Sequence, residues 1–204
     1  MDYSNVNKNV IKIIEILTEG RAYLNEIYEK TGIKSKNNLL KNLNSLTNNK
    51  ILTKEENKSN TFYSLNYQNN VSIALLNLIN KIRFENLPFD IKKGILEAIF
   101  TSKPRIAILF GSYAKRNYNK KSDIDLIFFD AIEEKRINEI SSNYGIKLNI
   151  TFMRLYELQK DNEALNHIIK TGYPLVGEEY FYNEAKKIWL GNLVRGLKKS
   201  REKL

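Results

Sequence analysis

Apolar residues in the first third of the chain recur at helical spacing in three segments and then alternate as they do in strands. The apolar positions between 10 and 17 predict a first helix that ends near Gly20. A second short helix is predicted over residues 23–30, and the glycine of the Thr31-Gly32 pair favours its ending there. A third helix, over residues 35–49, has leucines on one face, at positions 39, 40, 43 and 46. Residues 51–66 predict two strands joined by a polar turn.

The rest of the chain alternates helical segments with short apolar strands. Residues 71–102 are predicted to be mostly helical, with a break at Leu87-Pro88 because proline interrupts a helix. Strands are predicted at residues 106–110, 123–129 and 145–155, and a turn with a further strand near 171–177. Helices are predicted at residues 113–116, at about 135–143 and over most of the remainder.

Composition limits the class of protein. The 204 residues, 42% hydrophobic and 27% charged, suffice for one or two cores, and we expect two small domains. The apolar runs are too short to span a bilayer and the N-terminus lacks a signal-peptide pattern, so we expect a soluble, cytoplasmic protein. The absence of cysteine excludes disulfides, thiolate zinc sites and thiol nucleophiles. His167 is the only histidine and is expected to be an ordinary helix residue, which excludes a Ser-His-Asp relay.

The charge favours a polyanionic partner. The 33 basic and 23 acidic residues give a net charge of +10. The distribution is more informative than the total, because residues 30–54 contain six lysines and no acid, although the first 67 residues net only +3. The C-terminal segment KKIWLGNLVRGLKKSREKL has seven basic residues and one acid. We expect it to form a helix that packs its apolar side on the domain, rather than to contact nucleic acid or a membrane.

The order of a helix, a helix-turn-helix pair and a two-stranded wing resembles the winged helix-turn-helix domains of transcription regulators. The resemblance covers about the first third of the chain and implies that the third helix enters the major groove of double-stranded DNA. By this resemblance, phosphates and base edges are contacted by Lys34, Ser35, Lys36, Asn37 and Lys41. The alternative is a winged domain that mediates only protein contacts or dimerisation, with these residues on a solvated helix face.

Two aspartates interrupt the apolar run ILFGSYAKRNYNKKSDIDLIFF at residues 108–129. On a strand, Asp123 and Asp125 project from one face while Ile124 points to the other. Two convergent carboxylates suit Mg²⁺, or Mn²⁺ in its place, which shares its ligands with phosphates and water. Upstream, the Gly111-Ser112 pair follows a strand and begins a predicted helix, where free amides and a hydroxyl can hold phosphate. The alternative is structural: the acids pair with Lys120, Lys121 or Arg116.

The pattern of strand, Gly-Ser, short helix, loop, SDIDL and strand resembles the minimal nucleotidyltransferases of the DNA polymerase beta superfamily. The resemblance covers roughly residues 88–178 and implies an α+β fold with a small mixed sheet flanked by helices. It further implies that Gly111 and Ser112 hold the triphosphate of an NTP and that Asp123 and Asp125 ligate the metals as catalytic residues. Attack on the α-phosphorus would then release pyrophosphate.

The sequence departs from this family pattern at two positions. The family usually has a second glycine four residues after the serine, where this chain has Arg116; either the turn is tighter here or the arginine contacts phosphate. A third carboxylate normally lies on the neighbouring strand, and the matching position is Asn149, which cannot act as a general base. The possible substitutes, Asp130 and Glu133 or Glu134, are poorly placed.

Four segments and two functional hypotheses result. The segments are a winged helix-turn-helix domain at residues 1–67, a helical linker at 68–87, a nucleotidyltransferase domain at 88–178 and a basic helix at 179–204. The first hypothesis is an enzyme that transfers a nucleoside monophosphate to a hydroxyl of a protein, nucleic acid or small molecule. The second is a DNA-binding regulator or antitoxin, whose degenerate transferase domain only binds nucleotide or a partner such as a toxin. A homodimer is compatible with either.

Overall fold

The computed structural model describes residues 7–57, 60–132, 136–159 and 163–187. The chain forms two compact units, Met1–Ile79 and Asn80–Leu204, so the boundary lies inside the segment predicted as a linker. Across the described ranges, no helix combines the length and apolar character needed to cross a bilayer.

In its described residues, the first unit contains the three predicted helices and the predicted strand pair in order, and a two-residue strand, β1, that was not predicted. Strand β3 is central, and β1 and β2 both pair with it. The elements are α1 (Lys8–Leu17), β1 (Ala22–Tyr23), α2 (Leu24–Thr31), α3 (Lys36–Asn48), β2 (Leu52–Glu56) and β3 (Thr61–Leu65), followed by α4 (Asn70–Glu85), which begins in this unit and continues into the next.

Local signals in the sequence explain where these helices begin and end. The side chain of Asn7 accepts a hydrogen bond from the Asn9 amide at the start of α1, and that of Ser35 accepts one from the Asn38 amide at the start of α3. Gly32 ends α2 in the left-handed conformation, with φ of 60°. The apolar faces of the three helices meet the sheet in one core, which includes Ile13, Ile14, Leu17, Ile27, Leu39, Leu43, Leu46, Leu52, Tyr63 and Leu65.

The second unit is built around a four-stranded mixed sheet of order β6-β5-β4-β7. Only β5 and β6 run parallel; β4 is antiparallel to both of its neighbours. The elements are α5 (Phe89–Ser102), β4 (Ile106–Phe110), α6 (Gly111–Lys115), β5 (Ile124–Phe129), α7 (Ile137–Tyr144), β6 (Leu148–Met153), a 3₁₀ turn (Leu155–Gln159), α8 (Glu163–Thr171) and β7 (Tyr173–Val176), and residues 178–187 are helical.

The two faces of β5 differ in what covers them. Ile124, Leu126 and Phe128 lie in one buried cluster with residues of α5 and α7. The odd-numbered positions point to the opposite face, which is where Asp125 projects. The aspartates are therefore held at one end of a buried strand, on the face away from α5 and α7.

Most predicted elements of this unit are confirmed, with shifted boundaries. The predicted break before α5 is present, because α4 ends at Glu85 and Pro88 caps α5. The short helix α6 begins at Gly111, two residues earlier than predicted, since the backbone turns directly at the end of β4. Of the predicted basic helix at 179–204, residues 179–187 are helical, and the rest of the segment lies outside the described residues.

Candidate functional site

The two aspartates lie at the start of β5 and are partly open to solvent. Asp125 is the second residue of the strand, and Asp123 directly precedes it. The side chain of Asp123 is 45% exposed, whereas Ile124 between them is fully buried. The apolar run in the sequence suggested buried carboxylates, but both aspartates are partly exposed, although Ile124 and the four residues after Asp125 are buried. The site therefore carries no large cost of burying charge, and both carboxylates can accept an incoming cation.

Gly111 lies directly against the carboxylate of Asp125. Antiparallel pairing places Phe110, the last residue of β4, opposite Asp125, and the chain then turns at Gly111 with φ of 69°. A Cβ atom on Gly111 would meet Oδ2 of Asp125 well inside van der Waals contact. The left-handed backbone conformation favours glycine at this position, and the Asp125 carboxylate leaves no room for a Cβ atom. The Gly-Ser turn and the acidic pair are thus brought together at one end of β5.

Arg116 explains one departure from the family pattern. It ends α6 in the left-handed conformation, with φ of 59°, and its amide donates to the carbonyl of Tyr113. Glycine adopts this conformation without strain, which gives a physical reason for the glycine that the resemblance predicts here. Arg116 is exposed, and its charge opposes the rise that burial causes in the pKa of Tyr173.

Asn149 on β6 and Lys147, which directly precedes this strand, each contact one aspartate. The ammonium nitrogen of Lys147 lies 2.8 Å from Oδ1 of Asp123, and Nδ2 of Asn149 donates to Oδ1 of Asp125 at 2.9 Å. The parallel register pairs Asp125 with Asn149, which confirms the predicted position of the amide on the neighbouring strand. The sequence pattern names other cations as partners and misses Lys147. The spacing between Lys147 and Asn149 could have indicated this contact, because residues two apart on an extended segment project to the same face.

Asp130, a possible substitute for the third carboxylate, does not reach the site. Asp130 follows the far end of β5, roughly 20 Å from Asp123 along an extended strand. Its Oδ1 accepts a hydrogen bond from the Leu155 amide, so the side chain holds the turn after β6. Glu133 and Glu134 lie outside the described residues.

The donor set fits a divalent cation that is held jointly with a phosphate ligand. In the part of the chain that the structure describes, no cluster of three or more His, Cys, Asp or Glu side chains could hold a metal ion. Asp123 and Asp125 nevertheless provide two carboxylates on one side of a strand, and Mg²⁺ commonly takes one or two carboxylates together with substrate phosphates and water. These two residues are the ones that would hold the cation.

The residues proposed to contact DNA are exposed and lie just before α3 or in its first half. Ser35 caps the helix, and the ammonium of Lys36 donates to the side chain of Asn25 at 2.8 Å. The strand β2 adds acids to this unit, Glu55 paired with Arg21 and Glu56 paired with Lys54. The exposed set at α3 is Lys34, Ser35, Lys36, Asn37 and Lys41.

Comparison with known proteins agrees with the site of the second unit. Residues 93–180 match the family model described as Polymerase beta, Nucleotidyltransferase. The chain is 35% identical over 83 residues to the "Putative protein adenylyltransferase" of Methanocaldococcus jannaschii. That alignment covers 40% of this chain and 66% of the relative, just under two thirds of its length. Both findings support the nucleotidyltransferase superfamily for this segment.

A solved structure described as a toxin-antitoxin with AMP-PNP is a more distant match. It shares 19% sequence identity with this chain, with a TM-score of 0.37, and the match covers 54% of this chain and 91% of the other.

Proposed function

We propose that the second unit transfers AMP from ATP to a hydroxyl group of an acceptor protein. The observation that carries the proposal is the contact of Gly111 with the carboxylate of Asp125, next to Asp123, inside the segment that matches the nucleotidyltransferase family. The name of the M. jannaschii relative supports the choice of ATP and of a protein acceptor.

The position of each residue in the site suits it to a role in holding the cation or the triphosphate. Asp123 and Asp125 would hold Mg²⁺, or Mn²⁺ in its place, together with oxygens of the triphosphate. The cation supplies positive charge that offsets the charge of the phosphates. The turn at Gly111, where α6 begins, would offer backbone amides to a phosphate, and Ser112 adds a hydroxyl at the same turn. Arg116, exposed at the end of α6, adds a positive charge on the same short segment.

The transfer is a displacement at the α-phosphorus of ATP. The acceptor oxygen forms a bond to this phosphorus, and the bond from the phosphorus to the bridging oxygen breaks. Pyrophosphate leaves with the electron pair. The proton of the acceptor hydroxyl passes to solvent, because the amide of Asn149 cannot accept it. We therefore expect turnover to be slow compared with an enzyme that has a carboxylate at this position.

Labelling and calorimetry test this proposal. ATP labelled at the α-phosphate, with Mg²⁺ or Mn²⁺ and cell extract, should label a protein acceptor, and ATP should bind measurably in calorimetry. Asp123→Ala and Asp125→Ala should each abolish the label and weaken binding at least tenfold. Asp90→Ala, an exposed carboxylate at the start of α5, is the matched control and should behave as the wild type. Absence of both binding and labelling with every NTP would contradict the proposal.

A second candidate function belongs to the first unit, which we propose to be a winged helix domain that binds double-stranded DNA. The supporting observation is the exposed polar and basic face at the start of α3, in a segment of six lysines without an acid, followed by a strand pair. In this alternative the protein is a transcriptional regulator or antitoxin. Its second unit then binds nucleotide or a protein partner without turnover.

Electrophoretic shifts with DNA from the protein's own promoter test this second candidate. Lys36→Gln and Lys41→Gln should each weaken binding and lower the slope of log affinity against log salt by about one, because each removes a phosphate contact. Lys8→Gln, an exposed lysine on α1, is the control for loss of charge alone. Binding that ignores salt and survives both α3 substitutions would exclude docking on phosphates.

A further inference from the structure

A lysine already occupies one side of the proposed cation site. Ile124 pairs with Leu148 and Asp125 with Asn149 in the parallel register. One residue before the first of these pairs, Lys147 therefore lies next to Asp123. The four side chains form two contacting pairs: Asp123 with Lys147, and Asp125 with Asn149. The first is an ion pair, and in the second an uncharged amide donates a hydrogen bond to a carboxylate.

We propose that the ammonium of Lys147 takes the place of a second divalent cation at Asp123. The site then binds a single divalent cation, and binds it tightly only together with nucleotide. This inference rests on the proposed function of the second unit, and it concerns how many cations the site accepts and in what order.

The charge of the site carries the argument. Two carboxylates and one ammonium leave a net charge of −1, and Asn149 adds none, so little attraction for a divalent cation remains before nucleotide binds. A cation that shares Asp123 with Lys147 is also repelled by the ammonium at short range. The triphosphate brings the negative charge that the site lacks. It therefore restores attraction for one divalent cation and offers Lys147 a phosphate oxygen as a new partner.

The lysine side chain is free to change its partner. The side chain of Lys147 is 77% exposed, and an exposed ion pair holds its members only weakly. Its four-carbon stem allows the ammonium to leave Asp123 without a change in the backbone of β6. Substitution here should leave the fold intact, since the side chain contributes nothing to the buried cluster of this unit.

Binding of Mn²⁺, followed by electron paramagnetic resonance, tests the inference without turnover. Without nucleotide, Lys147→Met and Lys147→Gln should bind Mn²⁺ about tenfold more tightly than the wild type, because the neighbouring positive charge is gone. Lys147→Arg, which keeps the charge, should match the wild type. Lys187→Met removes a lysine from an ion pair with Glu184 elsewhere in the unit and is the matched control. With a non-hydrolysable ATP analogue, the wild type should saturate at one Mn²⁺ per chain.

The outcomes separate the inference from the proposed function. If the wild type and all variants bind Mn²⁺ with the analogue, but the neutral Lys147 variants match Lys187→Met without nucleotide, the inference is wrong and the proposed function stands. Saturation of the wild type at two Mn²⁺ per chain also overturns it. If the wild type binds neither the analogue nor Mn²⁺ with it, the proposed function itself fails.

Discussion

Gly111 combines two demands that only glycine meets. Its φ of 69° lies in the left-handed region, and the Oδ2 atom of Asp125 fills the space where a Cβ would be. Gly145, which ends α7 with φ of 60°, has the same backbone conformation but open space around it. Substitutions at these two glycines therefore separate the loss of stability caused by the backbone conformation from the effect on the Asp125 carboxylate.

We predict that Gly111→Ala weakens binding of ATP with Mg²⁺ at least tenfold, because the added methyl displaces the Asp125 carboxylate. The substitution should also lower the free energy of unfolding by about 1 kcal/mol for the left-handed backbone. Gly145→Ala should show the same loss of stability and unchanged nucleotide binding. Calorimetry and thermal unfolding measure the two effects, and equal nucleotide affinity in both variants would show that the contact with Asp125 has no part in binding.

Tyr173 on β7 is a buried residue whose hydroxyl has no role in the proposed transfer. It is 2% exposed, and its hydroxyl has no hydrogen-bond partner within the described ranges of the chain. Burial raises the pKa of Tyr173 to about 12, against the opposing charges of Arg83 and Arg116. In the unfolded chain this hydroxyl ionises near pH 10. The folded state therefore holds the proton more tightly, and stability is lost as pH rises from about 10 towards 12.

We predict that Tyr173→Phe leaves the free energy of unfolding at pH 7 within about 1 kcal/mol of the wild type, since no hydrogen bond is broken. The variant should also lose less stability between pH 10 and 11. Tyr182→Phe is the contrasting change, because the Tyr182 hydroxyl accepts a hydrogen bond from the buried amide of Asn80 at 3.1 Å. That variant should cost about 1–3 kcal/mol. Chemical denaturation at several pH values measures both, and equal losses at pH 7 would contradict the assignment.

The strand pair β5–β6 is the element that decides the chemistry of the site. Its parallel register places position 149 beside Asp125 and position 147 beside Asp123. An amide at position 149 donates to Asp125 where the family pattern has a third carboxylate. The register therefore makes residue 149 the one whose replacement can restore the family's donor set.

We predict that Asn149→Asp raises the rate of AMP transfer about tenfold or more, because it supplies a third carboxylate and a group that can accept a proton. Without cation, three neighbouring carboxylates should lower the melting temperature, and millimolar Mn²⁺ should reverse the change. Asn143→Asp, an exposed amide on α7, is the control and should show neither effect. Label transfer and melting curves with and without Mn²⁺ measure both, and an unchanged rate would mean that the missing carboxylate does not limit turnover.

The sequence predicts best the elements in which a hydrophobic pattern repeats over many residues. The amphipathic helices α1 and α3 and the apolar strands β4 and β5 are present where their patterns predict them. The start of α6 is predicted less well, because five residues contain too little of a helical period and the turn depends on the packing of Gly111 against β5.

At the scale of the whole molecule, each proposed function belongs to one unit with its own core. The exposed face of α3 lies in Met1–Ile79, and the acidic pair lies in Asn80–Leu204. The net charge of +10 belongs to the whole chain and does not say which unit binds a polyanion.

We predict that the two activities can be removed separately. Lys36→Gln combined with Lys41→Gln should abolish the DNA shift and leave ATP affinity unchanged, whereas Asp123→Asn should do the reverse. Electrophoretic shifts and calorimetry on the same preparations measure both. Loss of both activities from one set of substitutions, in a protein that still unfolds cooperatively, would show that the two sites are coupled.

The sequence by itself determined most helices and strands and the acidic pair, because hydrophobic period and chain spacing are local properties. It also indicated the turn at Gly111, because a Gly-Ser pair follows directly on an apolar strand, and it indicated the missing carboxylate at Asn149 through the family pattern. Only the tertiary structure decided that Lys147 pairs with Asp123 and that Gly111 lies against Asp125. These contacts join residues that are 24 and 14 positions apart, and the pairing register of neighbouring strands sets them.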